Sequence, residues 1–369
     1  MLAILPQYGA IAFVNTEQWI AADQAHCWHP FTRQDDWVKG LPADPLVLVD
    51  GEGSWLTDSE GRRYIDGNSS IWTNIHGHKH PVINEAMIDQ INKVAHTSYL
   101  GFANPRASEL ASRLSALFPP RTLERVFFSD DGSTAVECAL KMEIQYRIQV
   151  GQAERVHFLA FDLSYHGDTL GAASLGGVGE FFEPFRKFGF PVKHLGGIEE
   201  LEQLDDETIK KTAAVIIEPL VQGVNQIRPW PKGMLAKLRM WCDQHDVHLI
   251  LDEVMTGFGR TGKMFACQHE DVIPDYLCLA KGLSGGYMPL AATMVRGEIY
   301  NAFLGGADKA FYYGHSYTAN QLGCAAGLAS LDVFEQEHTL DYLPEKIGYL
   351  TQQLEQLADD EALVHEVRQ

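Results

Sequence analysis

The stretch Leu277-Cys-Leu-Ala-Lys281-Gly-Leu-Ser-Gly-Gly-Tyr-Met-Pro-Leu290 places one lysine directly after an apolar run and directly before glycine. A lysine so placed is desolvated, and desolvation lowers an amine's pKa and favours a neutral nucleophile. The competing reading is a strand-end lysine whose stem lies on apolar surface while its head group reaches water. The preceding run, Val247-His-Leu-Ile-Leu-Asp252-Glu253, tips the balance. It reads as a buried parallel strand ending in acids, and α/β proteins hold ligands at the carboxyl ends of such strands. Asp252 and Lys281 are 281 − 252 = 29 residues apart, with a second apolar run between them. An acid that keeps a ring nitrogen protonated and a lysine that forms an imine are the pair expected for pyridoxal phosphate, whose ring acts as an electron sink.

With 369 residues the chain can bury a large core and divide into more than one domain. Apolar residues make up 46% and charged residues 21%, ordinary proportions for a soluble globular protein. The formal net charge of −20 argues against a nucleic-acid or anionic-membrane surface, though it leaves room for a local phosphate pocket. The six cysteines (Cys27, Cys138, Cys242, Cys267, Cys278, Cys324) contain no C-x-x-C pair. They read as reduced thiols of a cytoplasmic protein, not as a disulfide frame or a zinc site. Met1 to Val14 is mildly apolar but lacks a basic start and is broken by Pro6, Gln7 and Tyr8, so it is not read as a signal peptide. No uninterrupted apolar run approaches bilayer-spanning length.

The opening segment, including Trp28-His-Pro-Phe-Thr, is aromatic and irregular. Leu46 to Asp58 and Arg63-Tyr-Ile-Asp-Gly alternate short runs with Asp-Gly, Glu-Gly and Gly-Arg turns, which predicts a small antiparallel sheet. From Pro81 the pattern changes. Helical spacing over Val82 to His96 is followed by strands at Arg125–Ser129, Val156–Phe161, Thr212–Glu218, Val247–Asp252 and the run before Lys281. Leu290-Ala-Ala-Thr-Met-Val adds a further candidate strand. Helices are expected from Ser133 to about Val150, near Lys232 to His245, and over Gln321 to Gln336, the last leading out of the domain. Strand–helix alternation implies a mostly parallel sheet covered on both faces.

Ser129-Asp-Asp-Gly132-Ser133-Thr134 lies between a strand and a helix. Free N–H groups and the dipole make that helix start an anion site, although a plain N-cap would look the same. Ser164-Tyr165-His166-Gly167-Asp168 follows another strand, where a tyrosine can stack on a flat ring or a surface loop can turn on its glycine. Glu218-Pro-Leu-Val-Gln222-Gly is weak alone, although Glu218 again ends a strand. In Tyr313-Gly314-His315-Ser316-Tyr317-Thr318, Ser316 and Thr318 are candidate phosphate donors at a helix entry. His76, His78 and His80 have the look of a metal tract, but no carboxylate or cysteine stands beside them and no metal is assigned.

Asp252-Glu253-Val254 with Thr256-Gly-Phe-Gly-Arg260-Thr-Gly, then Lys281-Gly and Gly314-His-Ser316, together resemble the class III (ornithine-type) aminotransferases of pyridoxal-phosphate fold type I, from about Trp28 to the last residue. The resemblance implies an α/β fold with a mostly parallel central sheet, helices on both faces, and a small α+β domain that is truncated at the C-terminus. It divides the chain into an N-terminal arm and small-domain segment (1–75), a large cofactor-binding domain (76–325) and the incomplete start of a C-terminal small domain (326–369). By resemblance, Lys281 is the imine lysine and general acid–base, Asp252 pairs with the pyridinium nitrogen, and Tyr165 stacks on the ring and faces substrate. Gly132 and Ser133 hold the phosphate, joined across a homodimer by His315 and Ser316. Gly314 lines the substrate pocket and Trp72 stands at its edge.

Within that class, Trp28-His-Pro-Phe-Thr, Asp66-Gly-Asn-Ser-Ser-Ile-Trp72-Thr-Asn-Ile-His-Gly and Gly314-His-Ser-Tyr-Thr-Ala-Asn-Gln-Leu-Gly-Cys are similar to the biotin-biosynthesis branch. That branch converts 8-amino-7-oxononanoate to 7,8-diaminononanoate. Its Trp-Trp pair is Ile71-Trp72 here, and its His-Pro-Tyr-Thr carries Phe31. Both changes fall on the substrate side, so the donor stays open between S-adenosylmethionine and lysine. Two alternatives stand beside this reading: a class III ω-aminotransferase with another amine/keto-acid pair, and a cofactor-binding but inactive remnant. Family members continue past the equivalent of Val364-His-Glu-Val-Arg-Gln369 into a domain whose arginine grips the substrate carboxylate. The expectation is that cofactor chemistry is encoded intact, with substrate affinity and stability compromised.

Overall fold

The computed structural model describes residues 15–360 and 364–369, so the Met1–Val14 stretch lies outside the described residues. Two units separate. In the one that runs to Ser70 and takes in Gly77–His80, β1 (Leu48–Glu52), β2 (Trp55–Asp58) and β3 (Arg63–Ile65) form the antiparallel sheet that the turn residues announce. Asp58 closes the β2–β3 turn. It accepts the Glu60 and Arg62 amides, the Arg62 Nε–H at 2.7 Å and the Tyr64 hydroxyl at 3.0 Å. Burial pushes its carboxyl up, but these donors prevail and hold it at about 2.

The other unit, Ile71–His76 with Pro81–Gln369, carries β4 (Leu123–Ser129), β5 (His157–Phe161), β6 (Val192–Leu195), β7 (Thr212–Ile217), β8 (Val221–Gln222), β9 (Arg228–Pro229), β10 (His248–Asp252), β11 (Tyr276–Leu279) and β12 (Ala291–Arg296). Strands β8 and β9 make a short hairpin. The others form one sheet in the order β4-β12-β11-β10-β7-β5-β6. Strand β12 pairs antiparallel with both neighbours, and the remaining pairings are parallel. Sheets of this kind are buried on both faces, which is why β7 and β11 are apolar without alternation. Successive side chains still point to opposite sides. Val215, Ile217, Leu249, Leu251, Leu277 and Leu279 enter one core cluster, and Ala214, Ile216, Ile250, Tyr276 and Cys278 the other.

The Gly132–Gln149, Met234–His245 and Gln321–Gln336 helices stand where the sequence places them, within one residue at each end apart from the Met234 start, which comes two residues later. The last does not lead out of the unit. Gly323 through Leu331 and Val333 are all buried, because a helix apolar on every side has to be enclosed. It packs Ala326, Ala329 and Val333 against Ile83 of the Pro81–Lys93 helix. The short strand β6 and the Pro105–Ala116 and Leu343–Asp360 helices had no counterpart in the sequence reading. Among the described residues, no helix is long and apolar enough to cross a membrane.

Candidate active site

Register decides which strand-end side chains meet. Asp252 is the last residue of β10 and sits opposite Cys278 of β11, three residues before Lys281. On the other side Leu251 pairs with Ile217, so Glu218, just past β7, comes level with Asp252. The loop after β5 brings Tyr165 and His166, and the turn after β4 brings Asp130, Asp131, Gly132 and Ser133. These residues line one cavity of about 480 Å³ at the carboxyl ends of the parallel strands, together with Trp72, Val254, Met255 and the Ala280–Leu290 segment.

Lys281 stands two residues past the end of β11, with φ +44, a left-handed conformation uncommon for a residue with a side chain. Its Nζ lies 4.8 Å from the centre of the Trp72 indole. Burial lowers its pKa, and the Arg260 charge adds to the effect; Asp252 and Glu218 oppose it and are outweighed. The result is an amine biased toward its neutral, nucleophilic form. Asp252 accepts the Val254 amide at 3.1 Å, and its other oxygen lies 2.8 Å from His166 Nδ1. His166 is buried, and its Nε2 has no partner among the described residues.

The turn at Gly132 is built for an anion. Asp131 caps the 18-residue Gly132–Gln149 helix by accepting the Thr134 amide, with Thr134 Oγ1 answering the Asp131 amide. That leaves the Gly132 and Ser133 amides without an acceptor among the described residues, on the cavity side. A Cβ on Gly132 would fall 2.6 Å from Val254 Cγ1, so only glycine lets the two strand ends approach. A Cβ on Gly167 would strike Ser133 in the same way. Ser133 Oγ accepts the Asp168 amide at 3.0 Å and keeps its own hydrogen to donate.

Tyr165 lines the cavity, and its hydroxyl donates to Asp168 Oδ2 at 2.6 Å. Burial and then Asp168 push its phenol well above the ordinary value, so it stays protonated. Glu218 accepts the Tyr165 amide at 3.1 Å and the Gly223 amide at 2.7 Å. Burial foremost, with the Asp252 charge adding, raises its carboxyl to about 7.

Six sequence candidates therefore converge: Lys281, Asp252, Tyr165, Gly132, Ser133 and Trp72. Gly314, His315 and Ser316 lie on the loop before the Gln321–Gln336 helix and do not line this cavity. His315 Nδ1 accepts the Tyr317 amide at 3.2 Å. His76 Nε2 lies 3.1 Å from Ser330 Oγ, and His78 Nε2 lies 2.9 Å from Asp66 Oδ2. His166 and the Tyr287–Leu290 wall were not nominated from the sequence. The signal for His166 was its place next to Tyr165 just past a strand end.

Unclaimed amides at a helix start, an acid able to face a ring nitrogen and a desolvated lysine, all around one cavity, are the donor set that pyridoxal phosphate requires, and the residues fit it. The comparisons agree. The profile of the class-III aminotransferases matches residues 39–369. The chain is 45% identical over 369 residues to the adenosylmethionine-8-amino-7-oxononanoate aminotransferase of Geobacter sulfurreducens, covering 94% of this chain and 80% of that one. The crystal structure of the enzyme of that name from Methanocaldococcus jannaschii superposes with a TM-score of 0.91 at 39% identity, over 95% of this chain and 82% of that one. An amine transaminase from an uncultivated Pseudomonas species, solved with pyridoxal phosphate bound, superposes with a TM-score of 0.85 at 34% identity, over 92% and 81%. With that extent of matching in sequence and in structure, the chain belongs to the class-III aminotransferase family.

Proposed function

We propose that this transaminase moves an amino group onto the ketone of 8-amino-7-oxononanoate, giving the 7,8-diaminononanoate of biotin biosynthesis, with S-adenosylmethionine or lysine as donor. The name shared by its relatives supports the substrate. The observation that carries the chemistry is the desolvated Lys281 amine one strand away from Asp252.

The cofactor is pyridoxal phosphate, which when bound supplies the electron sink for the carbanion left as an amine carbon loses its proton. The Gly132 and Ser133 amides and the Ser133 hydroxyl would receive its phosphate. Asp252 would hold the proton on the ring nitrogen, and His166 and the Val254 amide keep that carboxylate aimed. Lys281 Nζ takes the proton from the donor's amine carbon and returns one when the flow reverses onto the ketone. Tyr165, protonated and tied to Asp168, orients the substrate and does not act as a base. Trp72 closes the cavity above the amine and keeps water from it.

We also propose a cytoplasmic homodimer in which His315 and Ser316 complete the partner's phosphate site. Large exposed apolar side chains at Leu100, Phe102, Tyr312 and Tyr317 support the association, since such surface is characteristic of interfaces. The free cysteines, five of them buried, accord with a reducing compartment.

The visible absorption of the purified, cofactor-loaded protein tests the reading. A band that is absent in Lys281→Ala and converts to the amine form with S-adenosylmethionine or lysine, then back with 8-amino-7-oxononanoate, is expected. A band that only other amines convert would move the chain to the ω-aminotransferases. A band that no amine converts would make it an inactive cofactor binder.

A further inference from the structure

Glu218 lines the cavity yet has no part in the chemistry above. Its position is unusual: it is a carboxylate only 5% exposed with no cationic side chain among its hydrogen-bond partners. Both oxygens are committed to backbone amides on separate loops. Oε1 takes the amide of Tyr165, on the loop after β5, and Oε2 takes the amide of Gly223, at the turn of the β8–β9 hairpin. The Glu218 carbonyl in turn accepts Trp230 Nε1–H at 3.0 Å, so the hairpin is held from both sides. Gly223 lies against the edge of Trp72. A Cβ added there would sit 3.5 Å from the indole and 3.4 Å from Glu218 Oε2.

We propose that Glu218 is a positioning residue of the transamination site: its ionised carboxylate fixes Tyr165 through one oxygen and the turn supporting Trp72 through the other, so both aromatic walls facing Lys281 are set by one side chain. This deepens the proposed function and rests on it. The argument is geometric. Two N–H donors aim at two oxygens, and a carboxylate accepts both. A protonated carboxyl offers one of those donors only a neutral hydroxyl oxygen, a weaker acceptor, and neither bond is any longer to a charged group. The charged groups that act on Glu218 are Asp252 at the end of β10 and His166 on the β5 loop, and its own charge acts on Lys281 after β11. Burial and Asp252 favour the neutral form, while His166 and the two amides favour the ion. The anchors therefore loosen as the solution passes below neutral pH.

The experiment is amide hydrogen exchange on the full chain, cofactor-free and loaded, between pH 6 and 8.5, corrected for intrinsic rates, for wild type, Glu218→Gln and Glu218→Asp. In local openings that free either amide while Glu218 stays buried, wild type should show protection of the segments holding Tyr165 and Gly223 rising by about ten- to hundredfold with pH, the size of a hydrogen bond to a charged group; global unfolding, which hydrates the carboxylate, has the opposite pH dependence. The β7 strand just before it should show no such step. Glu218→Gln keeps the size but meets one amide with an NH₂ group, and Glu218→Asp keeps the charge but falls short of both amides. Both should be weakly protected at every pH. In loaded enzyme they should raise KM more than they lower kcat, because they misplace walls and leave Lys281 intact. Equal protection in wild type and Glu218→Gln, or no pH step in wild type, overturns the proposal. Should a variant not fold, the wild-type pH series decides alone. Because exchange is read without turnover, a chain that transaminates nothing would refute the proposed function and still leave this question answered.

Discussion

Burial disfavours the charged form of two side chains in this cavity, and each leaves a mark on stability. Lys281 has a folded-state pKa below that of the unfolded chain, so the folded state binds fewer protons in the window beneath the ordinary lysine value. Its cost is fully present below the folded pKa and fades as pH rises toward the ordinary lysine value of 10.5. Cofactor-free Lys281→Met should therefore melt above wild type at pH 7, by a margin that shrinks toward pH 10 in a calorimetric series. In loaded enzyme the same change should cut turnover by about 10²- to 10⁴-fold, the range for a lost acid–base group. Glu218 has the opposite sign of charge but the same logic. Its carboxyl is raised from the ordinary glutamate value of 4.5 to about 7, so the folded state binds more protons between those values and loses stability as pH climbs through them. The melting difference, Glu218→Gln minus wild type, should become more positive from pH 5 to pH 8; a difference that falls over that range would contradict the assigned burial of charge.

At the scale of elements, the Gly132–Gln149 helix shows how one cap serves two purposes. Asp131 satisfies the Thr134 amide, which leaves the first two amides of the helix turned to the cavity. Asp131→Ala should cost about 1 kcal/mol of stability, the worth of a cap, and weaken phosphate retention as the first turn frays. Asp131→Asn should preserve stability; thermal melts and cofactor dissociation constants on both variants would check this. The Ser69–Trp72 turn is a second local device. All four residues have positive φ, from +50 to +66, which makes a single left-handed helical turn. Each such residue costs roughly 1–2 kcal/mol, and for a β-branched side chain such as Ile71 the conformation is a clear outlier. Asp66 supports the turn by accepting the Ser70 amide and hydroxyl, both at 2.8 Å. Strain of this sort is kept where it delivers a side chain, here Trp72 beside Lys281.

For the whole molecule, the site's completeness is the question. His315 and Ser316 lie outside the cavity of their own chain, and the proposed homodimer would bring them to the partner's phosphate. Sedimentation should show a dimer at micromolar protein. Ser316→Ala should weaken cofactor binding by about three- to tenfold, one hydrogen bond's worth, without changing the melting of the cofactor-free protein. A monomer that retains cofactor as firmly as the concentrated protein would remove both residues from the site.

Much was legible along the chain because it depends on local pattern. Unbroken apolar runs marked the buried strands, Asp-Gly and Gly-Arg turns marked the small sheet, and the lone Lys281 and strand-ending Asp252 pointed to the cavity they line. The Gln321–Gln336 helix was readable to the residue, but not that it is enclosed, since a helix apolar all round declares burial without saying against what. Tertiary structure alone settled the rest. The antiparallel placement of β12 between β11 and β4 and the level meeting of Glu218 with Asp252 depend on pairing between distant segments. So do His166's hold on Asp252 and the left-handed turn under Trp72. No side-chain period encodes such pairings; they arise when strand ends far apart in sequence are brought within a few ångströms, where burial and neighbouring charge then set what each group can do.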